Sequence, residues 1–145
     1  MIAVDTNILV YAHCEDSPFH GAAFERVAEL AEGRAAWSIP WPCVHEFVAV
    51  VTHPRIYAPP TPLALALDQV DAWLESPTLV LLAESPSTGR SCESYSAAPV
   101  SAELKSTTPA SPLCRQHCVR ELWSADRDFI RFAGPTVVNP LVRRR

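Results

Sequence analysis

At 145 residues and 48% hydrophobic, the chain is long enough for one globular domain with a real core and too short for several. A net charge of -4 excludes a general electrostatic attraction to nucleic acid, although clustered acids draw divalent cations that mediate contact with phosphates. No apolar run reaches the ~20 residues of a membrane span, and no basic region leads into a long apolar one at the start, so the expected compartment is the cytoplasm.

Ile2 to Val4 is a short apolar run of the kind that forms a buried parallel strand. Asp5 breaks it, and residues 7–12 read as the first turns of a helix. A carboxylate at the carboxyl end of the first strand of an open α/β sheet lies where such sheets bind ligands. Burial there is costly unless a cation or hydrogen-bond donors compensate it, and Thr6 and Asn7 supply polar groups beside it. The plainer alternative is that Asp5 only caps the helix.

Ser17 is a candidate N-cap with Pro18 at the first helical position, and residues 19–31 carry apolar positions at helical spacing up to Gly33. Residues 37–39 suit a strand. Pro40 and Pro42 lead into a helix over 43–51, stopped by His53-Pro54, on which His45 and Glu46 are the polar residues of an otherwise apolar segment. A proline-rich loop, 55–62, precedes a helix over 63–74 and a core strand over 78–82. Residues 119–124 and 136–138 read as two further strands. Strands alternating with helices predict a mainly parallel sheet covered on both faces. Asp5 and the pair Asp126/Asp128 then follow strands at the same carboxyl edge, with Glu46 on a helix able to pack beside it.

Carboxylates gathered at one edge repel each other and call for a hard divalent cation or raised pKa values. Mg²⁺ or Mn²⁺ held this way can orient water for in-line attack on a phosphodiester. The five cysteines (14, 43, 92, 114 and 118) contain no C-x-x-C pair. Cys114, His117 and Cys118 lack further zinc ligands at matching spacing, so they read as free thiols. The basic tail 143–145 reads as a solvated end.

With these residues identified, the chain resembles a PIN domain, specifically a VapC-type toxin of bacterial toxin–antitoxin pairs. The matching stretches are Val4-Asp5-Thr6-Asn7-Ile8-Leu9, His45-Glu46-Phe47, and Trp123-Ser124-Ala125-Asp126-Arg127-Asp128-Phe129, within family-like segments 1–85 and 113–142. The resemblance implies a three-layer α/β/α domain over residues 1–142. It also implies a Mg²⁺-dependent (or Mn²⁺-dependent) endoribonuclease, usually dimeric, inhibited by a cognate VapB-like antitoxin. By that resemblance Asp5, Glu46 and Asp126 hold the metal, Asp128 acts as ligand or support, and Thr6 and Asn7 order the loop.

One departure stands out. The family pattern has a further Asp in a segment like His-Asp-Ala-Arg-Ile-Ala-Ala, whereas this chain reads Ser106-Thr-Thr-Pro-Ala-Ser-Pro112 there, with no acid. The surrounding stretch is rich in Ser, Thr, Ala and Pro and lacks helical periodicity. One spelling of the seven codons, TCC-ACG-ACG-CCC-GCA-TCG-CCG, reads two bases later as His-Asp-Ala-Arg-Ile-Ala. Residues 87–112 are therefore expected to be out of frame or disordered, with Thr107 or Thr108 standing where an acidic ligand belongs. A genuine Ser/Pro-rich insertion is the alternative. Three other functions fit the residues less fully. One is a catalytically dead module that only binds antitoxin, another a phosphotransfer enzyme using Asp5 as nucleophile, and the third a structural domain without chemistry.

Overall fold

Ile2, Ala3 and Val4 form the strand around which the sheet is laid, in a computed structural model that describes residues 1–83, 114, 117, 119–126 and 135–142. The elements run β1 (Ile2–Val4), α1 (Thr6–His13), α2 (His20–Glu32), β2 (Trp37–Pro40), α3 (Trp41–Val51), α4 (Leu63–Leu74), β3 (Leu79–Leu82), β4 (Glu121–Trp123) and β5 (Thr136–Val138). The strands make one sheet in the order β3-β2-β1-β4-β5, every pairing parallel. From β1 the chain works outward through β2 and β3, then crosses back to lay β4 and β5 on the other side. The strand order reverses between β1 and β4, and the carboxyl ends at such a reversal splay apart and leave a crevice.

Alternation along the strands sorts the core into two clusters. Ile2, Val4, Trp37, Ile39, Leu79, Leu81 and Trp123 join the buried residues of all four helices, including Ile8, Val27, Phe47 and Trp73. Ala3, Leu82 and Leu122 point the other way and meet Cys114 and Val119. The first cluster is the larger, with the rings of Phe47 and Trp73 packed edge to face at 4.8 Å.

Two local expectations need correcting. Ser17 does not cap α2: the helix starts at His20 with Phe19 as its N-cap, and the Ser17 hydroxyl instead accepts the Phe19 amide at 3.2 Å in the preceding turn. Residues 78–82 read as a core strand, but β3 pairs with β2 alone among the described strands and leaves Val80 43% exposed. An apolar run specifies a strand and not its place in the sheet. The stretch 87–112, Asp128, Cys92, Cys118 and the tail 143–145 lie outside the described residues.

Candidate active site

Register brings the site together. Val4 of β1 is level with Trp123 of β4, so Asp5 and Ser124 leave the sheet side by side at the crevice. The Asp5 amide bonds the Trp123 carbonyl at 3.0 Å, and the Ser124 amide bonds that of Val138 at 3.0 Å, continuing the ladder one step beyond the strands.

Asp5 stands at the N-cap of α1 in extended backbone conformation, yet its side chain makes no capping bond. It is turned into the molecule, 2% exposed. Its Oδ2 accepts Asn7 Nδ2 at 2.6 Å and the Ser124 hydroxyl at 2.8 Å, and the Cys43 thiol points at Oδ1 from 3.8 Å. Asn7 uses its whole amide. Nδ2 also reaches Ser124 Oγ at 3.0 Å, while Oδ1 accepts the Ala125 amide at 3.0 Å. Ser124 Oγ in turn accepts the Asp126 amide at 3.1 Å. The loop after β4 is thereby fastened to the first turn of α1, and Asp126 is carried to the crevice beside Asp5.

Glu46 arrives from the other side, on α3, which begins where β2 ends. Cys43, Val44, Phe47 and Val51 form the buried face of that helix and leave Glu46 exposed. The Thr6 hydroxyl donates to Glu46 Oε2 at 2.6 Å, linking α1 to α3 across the opening. Asp5, Thr6, Asn7, Glu46 and Asp126 line one open cleft of about 260 Å³ together with Val10, Tyr11 and Val50.

The electrostatics follow from this crowding. Burial raises the Asp5 carboxyl above its ordinary 3.8. The Ser124 hydroxyl and the Thr6 amide pull it down, the Glu46 charge pushes it up, and the Cys43 thiol lowers it. Burial and the Asp5 charge push the Cys43 thiol upward, which keeps it neutral and unreactive. The described lining carries three acids and no Lys or Arg. Its donor chemistry, carboxylate, amide and hydroxyl oxygen, suits Mg²⁺ or Mn²⁺ rather than a soft metal. The three acids share the cleft wall. Among the described residues, however, no three of His, Cys, Asp and Glu are grouped closely enough to ligate one ion.

Ser124 and Cys43 are the participants that sequence reasoning passed over. A signal existed for Ser124, which follows β4 as Asp5 follows β1 and stands two residues before an Asp. Cys43 had none beyond lying one helical turn before Glu46.

The architecture defines the class: an α/β/α domain with a five-stranded, all-parallel sheet and an acid-lined crevice at its switch point. Among solved structures it is similar to the Mycobacterium tuberculosis toxin VapC20, described as cleaving the sarcin-ricin loop. The TM-score is 0.65 at 13% identity, over 90% of this chain and 93% of that one. VapBC2 of Rickettsia felis, solved with a promoter DNA fragment, matches with TM-score 0.61 at 14% identity over 95% and 98%. In sequence the chain is 28% identical to the ribonuclease VapC48 of Mycobacterium tuberculosis over 142 residues, 94% of each protein. It is 31% identical to the ribonuclease VapC33 of the same organism over 86 residues, 59% of this chain and 60% of that protein. No protein-family model matches. The fold is that of the PIN domain, and the resemblance to the VapC type read from the motifs is borne out.

Proposed function

We propose that this protein is a divalent-metal-dependent endoribonuclease, the cytoplasmic toxin of a VapBC-type pair, working as a homodimer and restrained by a VapB-like antitoxin. The observation that carries this reading is the cleft in which Asp5, Glu46 and Asp126 stand with no basic side chain among the described lining. An RNA phosphate cannot approach such a cleft unless a cation offsets the acids. Similarity to VapC ribonucleases along nearly the whole chain supports the substrate class.

In this reading Asp5, Glu46 and Asp126 would hold the ion by drawing closer together than they stand here, with Asp128 as a further ligand or support. Bound there, Mg²⁺ or Mn²⁺ supplies charge neutralisation at the phosphate and activation of a water molecule. The remaining work belongs to the protein. Asn7 and Ser124 both donate to Asp5 Oδ2 and fix that carboxylate's orientation. Thr6 holds one oxygen of Glu46 and so steadies that carboxylate in the cleft lining. Val10 and Val50 add apolar surface to the cleft lining, which strengthens the charge interactions there.

Cleavage of RNA by the purified chain with Mg²⁺, compared with EDTA-treated protein and Asp5→Ala, tests the proposal. Cleavage that needs both the metal and Asp5 is expected, and cutting by Asp5→Ala ends the assignment. The acid-free segment Ser106–Pro112 favours a second reading, a degenerate toxin that captures antitoxin without cutting. Calorimetric titration with Mn²⁺ beside an antitoxin pull-down separates the two: antitoxin binding without metal uptake marks the inert form. We further propose that residues 87–112 are out of frame within a single domain spanning 1–142. Resequencing the gene tests this, and a frame-restored chain should cut better than the present one.

A further inference from the structure

The cleft is not acidic throughout. Three of its polar residues are each followed four positions later by an apolar one: Thr6 by Val10, Asn7 by Tyr11, Glu46 by Val50. Four residues of helix rise about 6 Å. The lining is therefore polar at one turn and apolar at the next on α1 and α3 alike, with Val10, Tyr11 and Val50 forming its apolar part. Tyr11 is half-buried there, and Phe19 packs on it with ring centroids 5.3 Å apart and planes at 45°. Phe19 is itself 45% exposed, an arrangement that core packing does not require. Glu15 and Asp16, exposed on the loop between them, would repel a phosphate and leave an uncharged ring face as the fitting occupant.

We propose that the Tyr11–Phe19 pair is a stacking platform for a nucleobase, so that the cleft takes a nucleotide with its phosphate at the acids and its base on the rings. This rests on the ribonuclease reading and adds to it that the bound RNA is single-stranded at the cut, since a paired base cannot reach the platform. Stacking on an aromatic side chain is tolerant of sequence and is lost when the ring is lost.

The test is fluorescence anisotropy of a labelled eight-residue oligoadenylate, and of an abasic ribose-phosphate chain of equal length. Both are titrated with the full chain in Ca²⁺, with Mg²⁺ cleavage of the oligoadenylate measured alongside. Tyr11→Ala should weaken oligoadenylate binding about 5- to 150-fold, Tyr11→Phe should stay within about twofold, and neither should change binding of the abasic chain. Phe19→Ala, at an exposed position, should weaken binding in the same direction and guards against a folding defect in Tyr11→Ala. Equal losses on both ligands, or no loss on either, overturn the platform. So does intact oligoadenylate binding by a Tyr11→Ala protein that no longer dimerises, which would make the ledge a protein contact. Tyr11-dependent binding without any Mg²⁺-dependent cutting keeps the platform and removes the nuclease. Cutting with unaltered binding does the reverse.

Discussion

The Ser124 hydroxyl donates to Asp5 Oδ2 at 2.8 Å and so joins the ends of β4 and β1 across 119 positions of chain. The Ser124 oxygen also accepts from Asn7 and from the Asp126 amide, which makes it the point where segments 5–7 and 124–126 meet. Ser124→Ala leaves an amide, a carboxylate oxygen and a backbone N–H short of a partner in a buried place. Losing such a group costs about 1–3 kcal/mol, and urea denaturation should record a loss in that range. Metal affinity should fall in parallel, because Asp126 loses the anchor of its backbone.

Asp5→Asn should make the metal-free protein more stable at neutral pH, on the order of 1 kcal/mol, while abolishing cleavage. Asn can keep its oxygen toward Asn7 and Ser124 and turn its amide toward Cys43, with no buried charge left. The sign in pH follows from the raised carboxyl. Between 3.8 and its higher folded-state value, the folded protein binds the proton that the unfolded chain has released, so wild-type stability falls as pH rises through that window. Acidification should therefore narrow the gap between wild type and Asp5→Asn. Melting curves from pH 4 to 8 check this, and added Mn²⁺ should raise the wild-type midpoint alone.

Much of this was legible from residue order. The alternation of apolar runs and helical periods gave the five strands and four helices found among the described residues, since period and length are local properties of the chain. That Asp5, Glu46 and Asp126 line one cleft follows from their places after β1, on α3 and after β4. What stayed hidden were relations set by register. Ser124 matters because Val4 happens to be level with Trp123, and Cys43 because α3 turns its buried face toward Asp5. The start of α2 was misjudged because Ser17 satisfies a turn as readily as a helix end.

Thr6→Val removes the hydroxyl that Glu46 accepts at 2.6 Å and keeps the shape of the side chain. Glu46 is exposed, so its freed carboxylate finds water, and stability should change by less than about 1 kcal/mol. The site should suffer more than the fold. An untethered Glu46 samples several rotamers, and cleavage at limiting Mg²⁺ should drop about tenfold or more, with Thr6→Ser restoring it. Activity measured over a series of Mg²⁺ concentrations separates this from unfolding, since saturating metal should recover part of the loss.

Phe47 ties the site to the core. It is wholly buried on α3 one position after Glu46, with the Trp73 ring at 4.8 Å and the His13 ring edge-on at 5.3 Å. Phe47→Ala empties a space bounded by α1, α3 and α4 that β2 and its neighbours cannot collapse to fill, and the cost should be about 3–5 kcal/mol. Phe24→Ala, a change of the same size at a 56% exposed position of α2, should stay within about 0.5 kcal/mol. The pair, compared by urea denaturation, separates loss of packing from loss of an aromatic ring. Because α3 carries both Glu46 and the Cys43 thiol, the Phe47→Ala protein that remains folded should also bind Mn²⁺ more weakly, whereas Phe24→Ala should bind it as wild type does.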